Sequence, residues 1–306
     1  MQTKTILLTG ASTGIGRASA LLLVDQGYTV FAGVRRTEDA EALKDACPVD
    51  RVSRLHPVLL DVTREEDIRA AVATIDGRSH DGLYALINNA GFNLNGAFEY
   101  TSEADARSLM ETNFFGLAGL SRAALPLLRR YAAFHPGETA KLVNIGSIGS
   151  YIGVPWEAYY HASKFAVLGL SEAMRHELWQ ERVRVVAICP GGIKTAFIPK
   201  TERNLAAAHA QLPEDAPDSY RSGLAKLGEA VGMATRFGSA PDVVAQRLRK
   251  VLASRHPRSQ YVVGGDARLF LGMRRLFPES WFHAVMRSQF TAKPTPHANA
   301  RQSEAL

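Results

Sequence analysis

Short apolar segments alternate with longer amphipathic segments along most of the chain, and this alternation constrains the fold more than any other feature. The longer segments repeat apolar residues at helical spacing, as Ile15, Ala18 and Leu22 do in the first of them. The pattern predicts a doubly wound α/β fold, in which helices cover both faces of a parallel sheet. The predicted strands are Thr5–Thr9, Tyr28–Val34, Arg54–Leu60, Leu83–Asn88, Lys141–Gly146, Val183–Cys189 and, at the edge, Gln260–Val263.

The predicted helices divide the chain into a core and two additions. Pro126 lies inside one of them and predicts a kink or an early end there. The stretch from Thr195 to Ser239 is polar, alanine-rich and interrupted by three prolines, and it predicts one or two mobile helices over the site. We expect a single domain over residues 1–306, with a substrate lid at 196–240 and a C-terminal extension at 264–306. The main helices are predicted over Gly14–Gln26, Glu103–Tyr131, Glu157–Gln180 and Pro241–Ala253.

The composition supplies material for a large buried core, since 46% of the residues are hydrophobic and only 22% are charged. The first five residues lack the apolar stretch of a signal peptide, and no apolar run approaches the roughly 20 residues that cross a bilayer. Cys47 and Cys189 lack the spacing of a metal site and are expected to stay reduced. These features predict a soluble cytoplasmic protein that binds no metal.

Positive charge is concentrated towards the carboxyl end. The net charge is +6, and residues 249–306 hold ten Arg or Lys against three Asp or Glu, an excess of +7 that leaves −1 for the rest. Such a segment can lie on a membrane surface or an acidic partner. A solvated surface is favoured, because no nucleic-acid-binding motif accompanies the charge, and no nucleic-acid partner is expected.

Within the extension, arginines alternate with apolar and aromatic residues between Ala267 and Phe290. Pro278 excludes one continuous helix. Packing over the substrate site or against a neighbouring subunit is favoured, and an amphipathic helix on a membrane surface is the alternative. Thr291–Leu306 is predicted to be disordered.

A glycine-rich turn, Thr9–Gly16, joins the first strand to the first helix. Glycines here let backbone amides approach a pyrophosphate, and the helix N-terminus favours the negative charge. The strand before the turn and the helix after it are the context that a dinucleotide-binding motif requires. The predicted cofactor contacts in the turn are Gly10, Ser12, Thr13, Gly14, Ile15 and Gly16.

The end of the second strand indicates which dinucleotide binds. Enzymes that use NAD usually place an acid there for the ribose 2′-hydroxyl, whereas this chain has Val34 followed by Arg35 and Arg36. A guanidinium suits bidentate contact with a phosphate, so NADP(H) is favoured. NAD(H) stays open, because both arginines can be solvated and Thr13 stands where users of NADP often carry a second basic residue.

Tyr160 and Lys164 are four residues apart near the start of a predicted helix and therefore project from one face. A free tyrosine has a pKa of about 10, which a neighbouring ammonium lowers by stabilising the phenolate. Ser147 ends the fifth strand and can donate a hydrogen bond to a substrate oxygen. Asn113, in the preceding long helix, can hold a water that feeds protons to Lys164. The four residues predict a site of proton transfer.

Taken together, these motifs resemble the classical short-chain dehydrogenase/reductase family over roughly residues 3 to 265. The resemblance implies a strand order of 3-2-1-4-5-6-7 and a homodimer or homotetramer built on the two long helices. An apparent insertion around Phe134–Thr139 and Gly146 in place of a frequent serine depart from the family pattern. The matching motifs are Thr9–Gly16, Asp61-Val62, Asn88-Asn89-Ala90-Gly91, Asn113, Ser147, Tyr160 with Lys164, and Pro190-Gly191 with Thr195.

The resemblance also implies roles for single residues. Asp61 and Val62 are expected at the adenine and Asn89 near the adenosine ribose, followed along the cofactor by Ala90 and Gly91. Ile193 and Thr195, after Pro190 and Gly191, are expected at the nicotinamide amide and the phosphates, and Lys164 at the nicotinamide ribose. Hydride would move between the nicotinamide and the substrate carbon, while Tyr160 transfers the proton and Ser147 orients the oxygen.

The predicted substrate is a small lipophilic alcohol, ketone or aldehyde, because candidate wall residues are apolar or aromatic. Ordinary packing is the alternative for these side chains, and His161 is interpreted as structural. Phe31–Val34 and the extension resemble the hydroxysteroid and retinol dehydrogenase branch. A cofactor-binding sensor without turnover and an interaction protein that uses the basic tail are the rival hypotheses. The candidate wall residues are Ile148, Tyr151, Ile152, Trp156 and Phe197.

Overall fold

The computed structural model describes residues 3–195 and 197–290. Seven parallel strands form one sheet in the order β3-β2-β1-β4-β5-β6-β7, which confirms the predicted fold class and strand order. Every residue of the first, fourth, fifth and sixth strands is buried, as expected for a parallel sheet covered on both faces. The strands are β1 (Thr5–Leu8), β2 (Thr29–Val34), β3 (Leu55–Leu59), β4 (Ala85–Asn88), β5 (Ala140–Ile145), β6 (Val183–Pro190) and β7 (Gln260–Val263).

The helices that flank the sheet follow the predicted pattern with two additions. The segments between β2 and β3 and between β3 and β4 each form a helix that the apolar pattern did not single out. The first of these buries only Leu43, so its sequence carries almost no apolar stripe. In the described chain these helices are α1 (Gly14–Asp25), α2 (Thr37–Asp45), α3 (Glu65–Asp76), α4 (Glu103–Met110), α5 (Leu117–Phe134), α6 (Ala158–Glu177) and α9 (Pro241–Ala253), with α7 and α8 in the lid and α10 and α11 in the extension.

The predicted early end of the long helix at Pro126 is wrong. Helix α5 continues through this residue to Phe134, and its inner face buries Ala124, Leu127 and Leu128. Packing on both sides of the proline offsets the hydrogen bond that the ring removes. The irregularity lies elsewhere, because residues Glu111–Gly116 form a π-helical turn between α4 and α5.

The lid and the extension each pack through a small apolar cluster of their own. Helices α7 (Phe197–Ala210) and α8 (Asp218–Phe237) confirm the prediction of helices in the lid, and Leu205 and Leu224 are buried between them. Helices α10 (Gly265–Leu276) and α11 (Glu279–Phe290) are separated at Pro278, as predicted. In α11, Phe282 and Met286 pack against Ile152. The predicted disorder of Thr291–Leu306 falls outside the described residues.

None of the helices in residues 3–195 and 197–290 has the length and apolarity that crossing a bilayer requires.

Candidate active site

A cavity of about 490 Å³ opens where the carboxyl ends of the central strands meet. Its floor comes from the segments that follow β1, β2, β4, β5 and β6. The chain reverses its strand order beside β1, and in such sheets ligands bind in the crevice at that point. Of the predicted site residues, the cavity gathers Gly10, Ser12, Thr13, Gly14, Ile15, Arg35, Asp61, Val62, Asn89, Ala90, Gly91, Ser147, Tyr160, Lys164, Pro190, Gly191, Ile193 and Thr195.

The glycine turn has a backbone that other residues would not adopt. Gly10 has a φ of +65° and Gly14 a φ of +55°, in the left-handed region that favours glycine. Gly16 does not line the cavity. A Cβ at Gly16 would lie 2.0 Å from the Gly10 carbonyl oxygen, so this glycine permits the helix to pack against the turn. The turn leaves the start of α1 open to the cavity, which fits the phosphates of a dinucleotide.

The two arginines after β2 have different surroundings. Arg35 lines the cavity. Arg36 instead donates two hydrogen bonds to the carboxylate of Asp39, at 3.0 and 2.9 Å, and the structure does not bring it to the predicted cofactor contact. Across the cavity, burial raises the pKa of Asp61, but hydrogen bonds from the Thr63 amide and hydroxyl lower it more, and the net pKa is below its usual range. This carboxylate is therefore charged at neutral pH.

Tyr160 and Lys164 lie on the first turns of α6 and face the cavity together with Ser147. The Lys164 ammonium donates a hydrogen bond of 3.2 Å to the carbonyl of Ile145 and lies 5.8 Å from the centre of the Tyr160 ring. Tyr160 and Ser147 are joined by a hydrogen bond between their side chains. The arrangement places a phenol, a hydroxyl and an ammonium around one point.

Burial controls the charge of both titratable groups. It raises the pKa of Tyr160 to about 12, although the hydrogen bond with Ser147 lowers this value. Burial likewise lowers the pKa of Lys164 to about 8. The expected lowering of the tyrosine pKa by the lysine is not found, because the loss of water around the phenolate is the larger effect. At neutral pH the site holds a phenol and an ammonium.

Asn113 lies in the π-helical turn and is almost fully buried. Its amide nitrogen donates to the Phe92 carbonyl at 2.9 Å and to the Ser163 hydroxyl at 3.1 Å, and its oxygen accepts from the Phe92 amide at 3.0 Å. The side chain thus ties the segment after β4 to helix α6. The amide oxygen keeps a second lone pair, so the water that Asn113 is expected to hold for Lys164 stays a prediction.

The side chains of four of the five candidate wall residues are described, and none of these four lines the cavity. The hydroxyl of Tyr151 donates to Gln260 at 2.8 Å, and Ile152 is buried against Phe282. Trp156 has a φ of +71°, and its indole donates to the Phe290 carbonyl at 3.0 Å. Ile148 packs in the same cluster as Ile152. The contacts of these four side chains are those of ordinary packing, which was the alternative interpretation. The side chain of Phe197 lies outside what the structure describes.

His161 is buried beside the site, and its ring lies edge-on to the ring of Tyr160 with the centres 5.6 Å apart. One ring nitrogen lies 3.1 Å from the Gly149 carbonyl and the other 3.4 Å from the Glu157 carboxylate. The contacts tie the turn after Ser147 to the start of α6, in keeping with the structural role that the sequence suggested.

Sequence reasoning missed polar residues that the lid and the extension bring to the site. Thr201, Arg203 and Asn204 of α7 line the cavity beside Asn93, and the Asn204 amide donates to the Asn93 carbonyl at 2.9 Å. Asp266, in the first turn of α10, accepts a hydrogen bond of 2.6 Å from the amide of Gly192. No motif marks these residues, since they approach the site only through the fold.

Comparisons with family models, with known proteins and with solved structures all point to one enzyme family. The family model for short chain dehydrogenases matches residues 4–206. The 3-ketodihydrosphingosine reductase of Bacteroides thetaiotaomicron is 31% identical over 94% of this chain and 98% of its own length. The estradiol 17-beta-dehydrogenase 2 of Mus musculus is 32% identical over 96% of this chain and 77% of its own.

Among solved structures, a short chain dehydrogenase from Burkholderia cenocepacia in complex with NADP superimposes with a TM-score of 0.68. It is 25% identical, and the alignment covers 93% of this chain and 98% of that one. The match of the family model extends over the glycine turn and the Ser147, Tyr160 and Lys164 cluster. The chain therefore belongs to the short chain dehydrogenase family and is an oxidoreductase of that family.

Proposed function

We propose that this protein transfers a hydride between NADP(H) and a lipophilic secondary alcohol, ketone or aldehyde, with Tyr160 as the general acid and base. The observation that carries the proposal is the convergence of Tyr160, Ser147 and Lys164 on the cavity that also contains the glycine turn. When bound, the nicotinamide cofactor supplies or accepts the hydride. The residues of the chain bind the cofactor, orient the substrate and move the proton.

In the reducing direction Tyr160 gives its phenolic proton to the substrate oxygen. Its pKa of about 12 keeps the phenol protonated at neutral pH. Ser147 holds the same oxygen through its hydroxyl, and the Lys164 ammonium stabilises the negative charge that forms on Tyr160 as the proton leaves. Lys164 would also bind the nicotinamide ribose. In the oxidising direction Tyr160 accepts the proton.

Arg35 supports NADP(H) over NAD(H). It lines the cavity directly after β2, at the place where a carboxylate would favour the ribose of NAD. Its guanidinium can pair with a 2′-phosphate. Solved neighbours hold NADP in some cases and NAD in others, so the proposed preference rests on Arg35.

The relatives support a lipophilic substrate. Their names refer to a keto lipid and to a steroid alcohol. The proposal assigns this class of substrate to the present chain and leaves the individual compound to experiment.

The test compares wild type with Tyr160→Phe and with Tyr159→Phe as the matched control, following NADPH or NADH absorbance with a panel of lipophilic ketones and aldehydes. Tyr159 is the neighbouring tyrosine, and its ring stacks on Phe98. Turnover with NADPH should fall by about 10²–10⁴-fold in Tyr160→Phe. It should persist in Tyr159→Phe, and NADPH binding should persist in both.

Equal turnover in Tyr160→Phe and wild type would contradict the role of Tyr160. A preference for NADH would contradict the role of Arg35. Tight NADPH binding without turnover of any compound in the wild type would favour the cofactor-binding sensor instead.

A further inference from the structure

The hairpin formed by α10 and α11 has a buried face and an exposed apolar face. Phe282 and Met286 point into the molecule and pack against Ile152. On the opposite side Leu276 is 82% exposed and Trp281 is 66% exposed. The exposed face of the hairpin consists of Leu269, Leu276, Phe277, Trp281 and Val285.

The spacing of these residues makes the face continuous. Leu269 and Leu276 are two turns apart on α10, while Trp281 and Val285 are one turn apart on α11, so each pair lies on one side of its helix. Where the two helices meet, the rings of Phe277 and Trp281 stack with their centres 6.5 Å apart. Single exposed apolar side chains are ordinary, but a clustered set marks an interaction surface.

The charge beside this face is positive. Residues 265–290 contain four arginines against Asp266 and Glu279, a net of +2. Arg274 and Arg275 directly precede Leu276, and both are exposed. Aromatic and apolar side chains flanked by arginines suit the boundary of a bilayer, where the rings enter the headgroup region and the guanidinium groups bind anionic headgroups.

We propose that the exposed face of the α10–α11 hairpin docks the protein on an anionic lipid surface. The buried face of the same hairpin packs on residues 148–154, the segment that follows Ser147. Docking would therefore hold the segment after Ser147, and with it the active site, near the layer in which a lipophilic substrate dissolves. This last link rests on the proposed function, whereas the binding itself does not.

The experiment measures co-sedimentation of the full chain with phosphatidylcholine vesicles, with and without phosphatidylglycerol. One variant combines Leu276→Ser with Trp281→Ser, and a second combines Arg274→Gln with Arg275→Gln. Val49→Ser is the control, because Val49 is 90% exposed and lies far from the hairpin in the sequence. The thermal midpoint of each variant verifies that it folds.

We expect wild type and Val49→Ser to bind the anionic vesicles and to be released by salt. The arginine variant should bind at least about tenfold more weakly, since each basic residue near an anionic surface contributes about fivefold. The apolar variant should lose binding to a similar or larger degree. Failure of the wild type to bind, or unchanged binding of both variants, overturns the proposal.

A second copy of the chain is the competing occupant of this face. Light scattering without lipid distinguishes self-association from lipid binding. If a second copy occupied this face, the oligomer would dissociate in the variant that combines Leu276→Ser with Trp281→Ser. That result also overturns the proposal. Turnover of a water-soluble ketone, measured in parallel, reports on the proposed function separately. Absence of turnover would contradict that function and would leave the vesicle result standing.

Discussion

Tyr160 and Lys164 illustrate how one environment shifts two groups in opposite directions. Burial penalises the charged form of each, so it raises the pKa of the tyrosine to about 12 and lowers that of the lysine to about 8. The tyrosine therefore keeps its proton over the whole neutral range. The lysine is the group of the pair whose charge changes close to physiological pH.

Carbonyl reduction should fall as the pH rises past about 8, because Lys164 then loses the charge that stabilises the Tyr160 phenolate. The measurement is kcat/KM for an NADPH-dependent reduction between about pH 6 and 10. Cofactor affinity at each pH provides the control, since loss of binding would mimic loss of catalysis. A profile that stays flat up to about pH 10 would contradict the assignment.

Lys141 gives a second pH effect, on stability. It is buried in β5 and donates to the Thr139 carbonyl at 2.9 Å, and burial, followed by the charges of Lys4 and Arg184, lowers its pKa from 10.5 to about 8. The unfolded chain binds more protons than the folded chain above pH 8, so the free energy of unfolding should rise with pH from there towards about pH 9.5.

The variant Lys141→Met removes this titration, so the rise should be smaller by roughly 1–2 kcal/mol. Urea denaturation of wild type and variant at about pH 7.5 and 9.5 measures the difference. Thr139→Val serves as the control, since it removes the Thr139 hydroxyl but keeps Lys141 and its bond to the carbonyl of residue 139. An equal rise in Lys141→Met and wild type would show that Lys141 does not titrate in this window.

Sequence reasoning at the residue scale succeeded where the backbone defines the site. The glycine turn, Ser147, Tyr160 and Lys164 sit at strand ends and on one helix face, and their spacing predicts that they meet. It failed for long side chains with a choice of partners. Arg36 pairs with Asp39 in the next helix, and the Trp156 indole donates to the carbonyl of Phe290, a residue far away in the sequence.

Among the elements, the start of α10 reaches the loop after β6, which lines the cavity. The Asp266 carboxylate accepts a hydrogen bond from the Gly192 amide, and the Gly191 amide donates one to the Val263 carbonyl at 2.8 Å. The carboxylate packs so closely that a Cβ at Gly191 would lie 2.4 Å from it. The extension thereby fixes the loop that follows β6, where the nicotinamide is expected.

Substitution Asp266→Ala should raise the KM for NADPH by roughly tenfold, because the Gly192 amide loses a charged acceptor and the loop loses its position. The variant Asp266→Asn keeps an acceptor oxygen and should recover most of the affinity. Separate values of KM and kcat identify the effect, since a general loss of folding would lower the active fraction without changing KM. Wild-type KM in Asp266→Ala would contradict the positioning role.

At this scale the sheet was easier to predict than its helices. Strands β1 and β6 are buried along their whole length and are mostly apolar, as is typical of a parallel sheet covered on both faces. Helix α2 buries one leucine, so its sequence shows no apolar stripe. The π-helical turn has no recognisable sequence pattern. Such features depend on packing that forms only when the whole chain is folded.

For the molecule as a whole, α5 and α6 offer a surface for self-association. Phe115, at the start of this helical layer, is 53% exposed, and Phe165 on α6 is 42% exposed. Helix α6 packs beside the π-helical turn that contains Phe115, so the two rings belong to neighbouring elements. A subunit interface on the two long helices, which the family resemblance implies, stays a prediction.

We expect the double variant Phe115→Asp and Phe165→Glu to be monomeric, because an interface core does not tolerate unpaired carboxylates. Light scattering coupled to size exclusion measures the mass of wild type and variant. Phe134→Asp, another exposed phenylalanine on α5, is the control and should leave the assembly intact. A variant with the same mass as an oligomeric wild type would place the interface elsewhere.

The π-helical turn at Glu111–Gly116 has a consequence for how this chain can change in length. A hydrogen bond in such a turn spans one residue more than in an α-helix. Deleting a single residue there would restore regular α-helix and leave α4 and α5 in nearly the same relative orientation, because the turn already absorbs the extra residue. Asn113 lies inside the turn, so its side chain would move away from Phe92 and Ser163. The one extra residue in this stretch of helix therefore determines where the Asn113 side chain points.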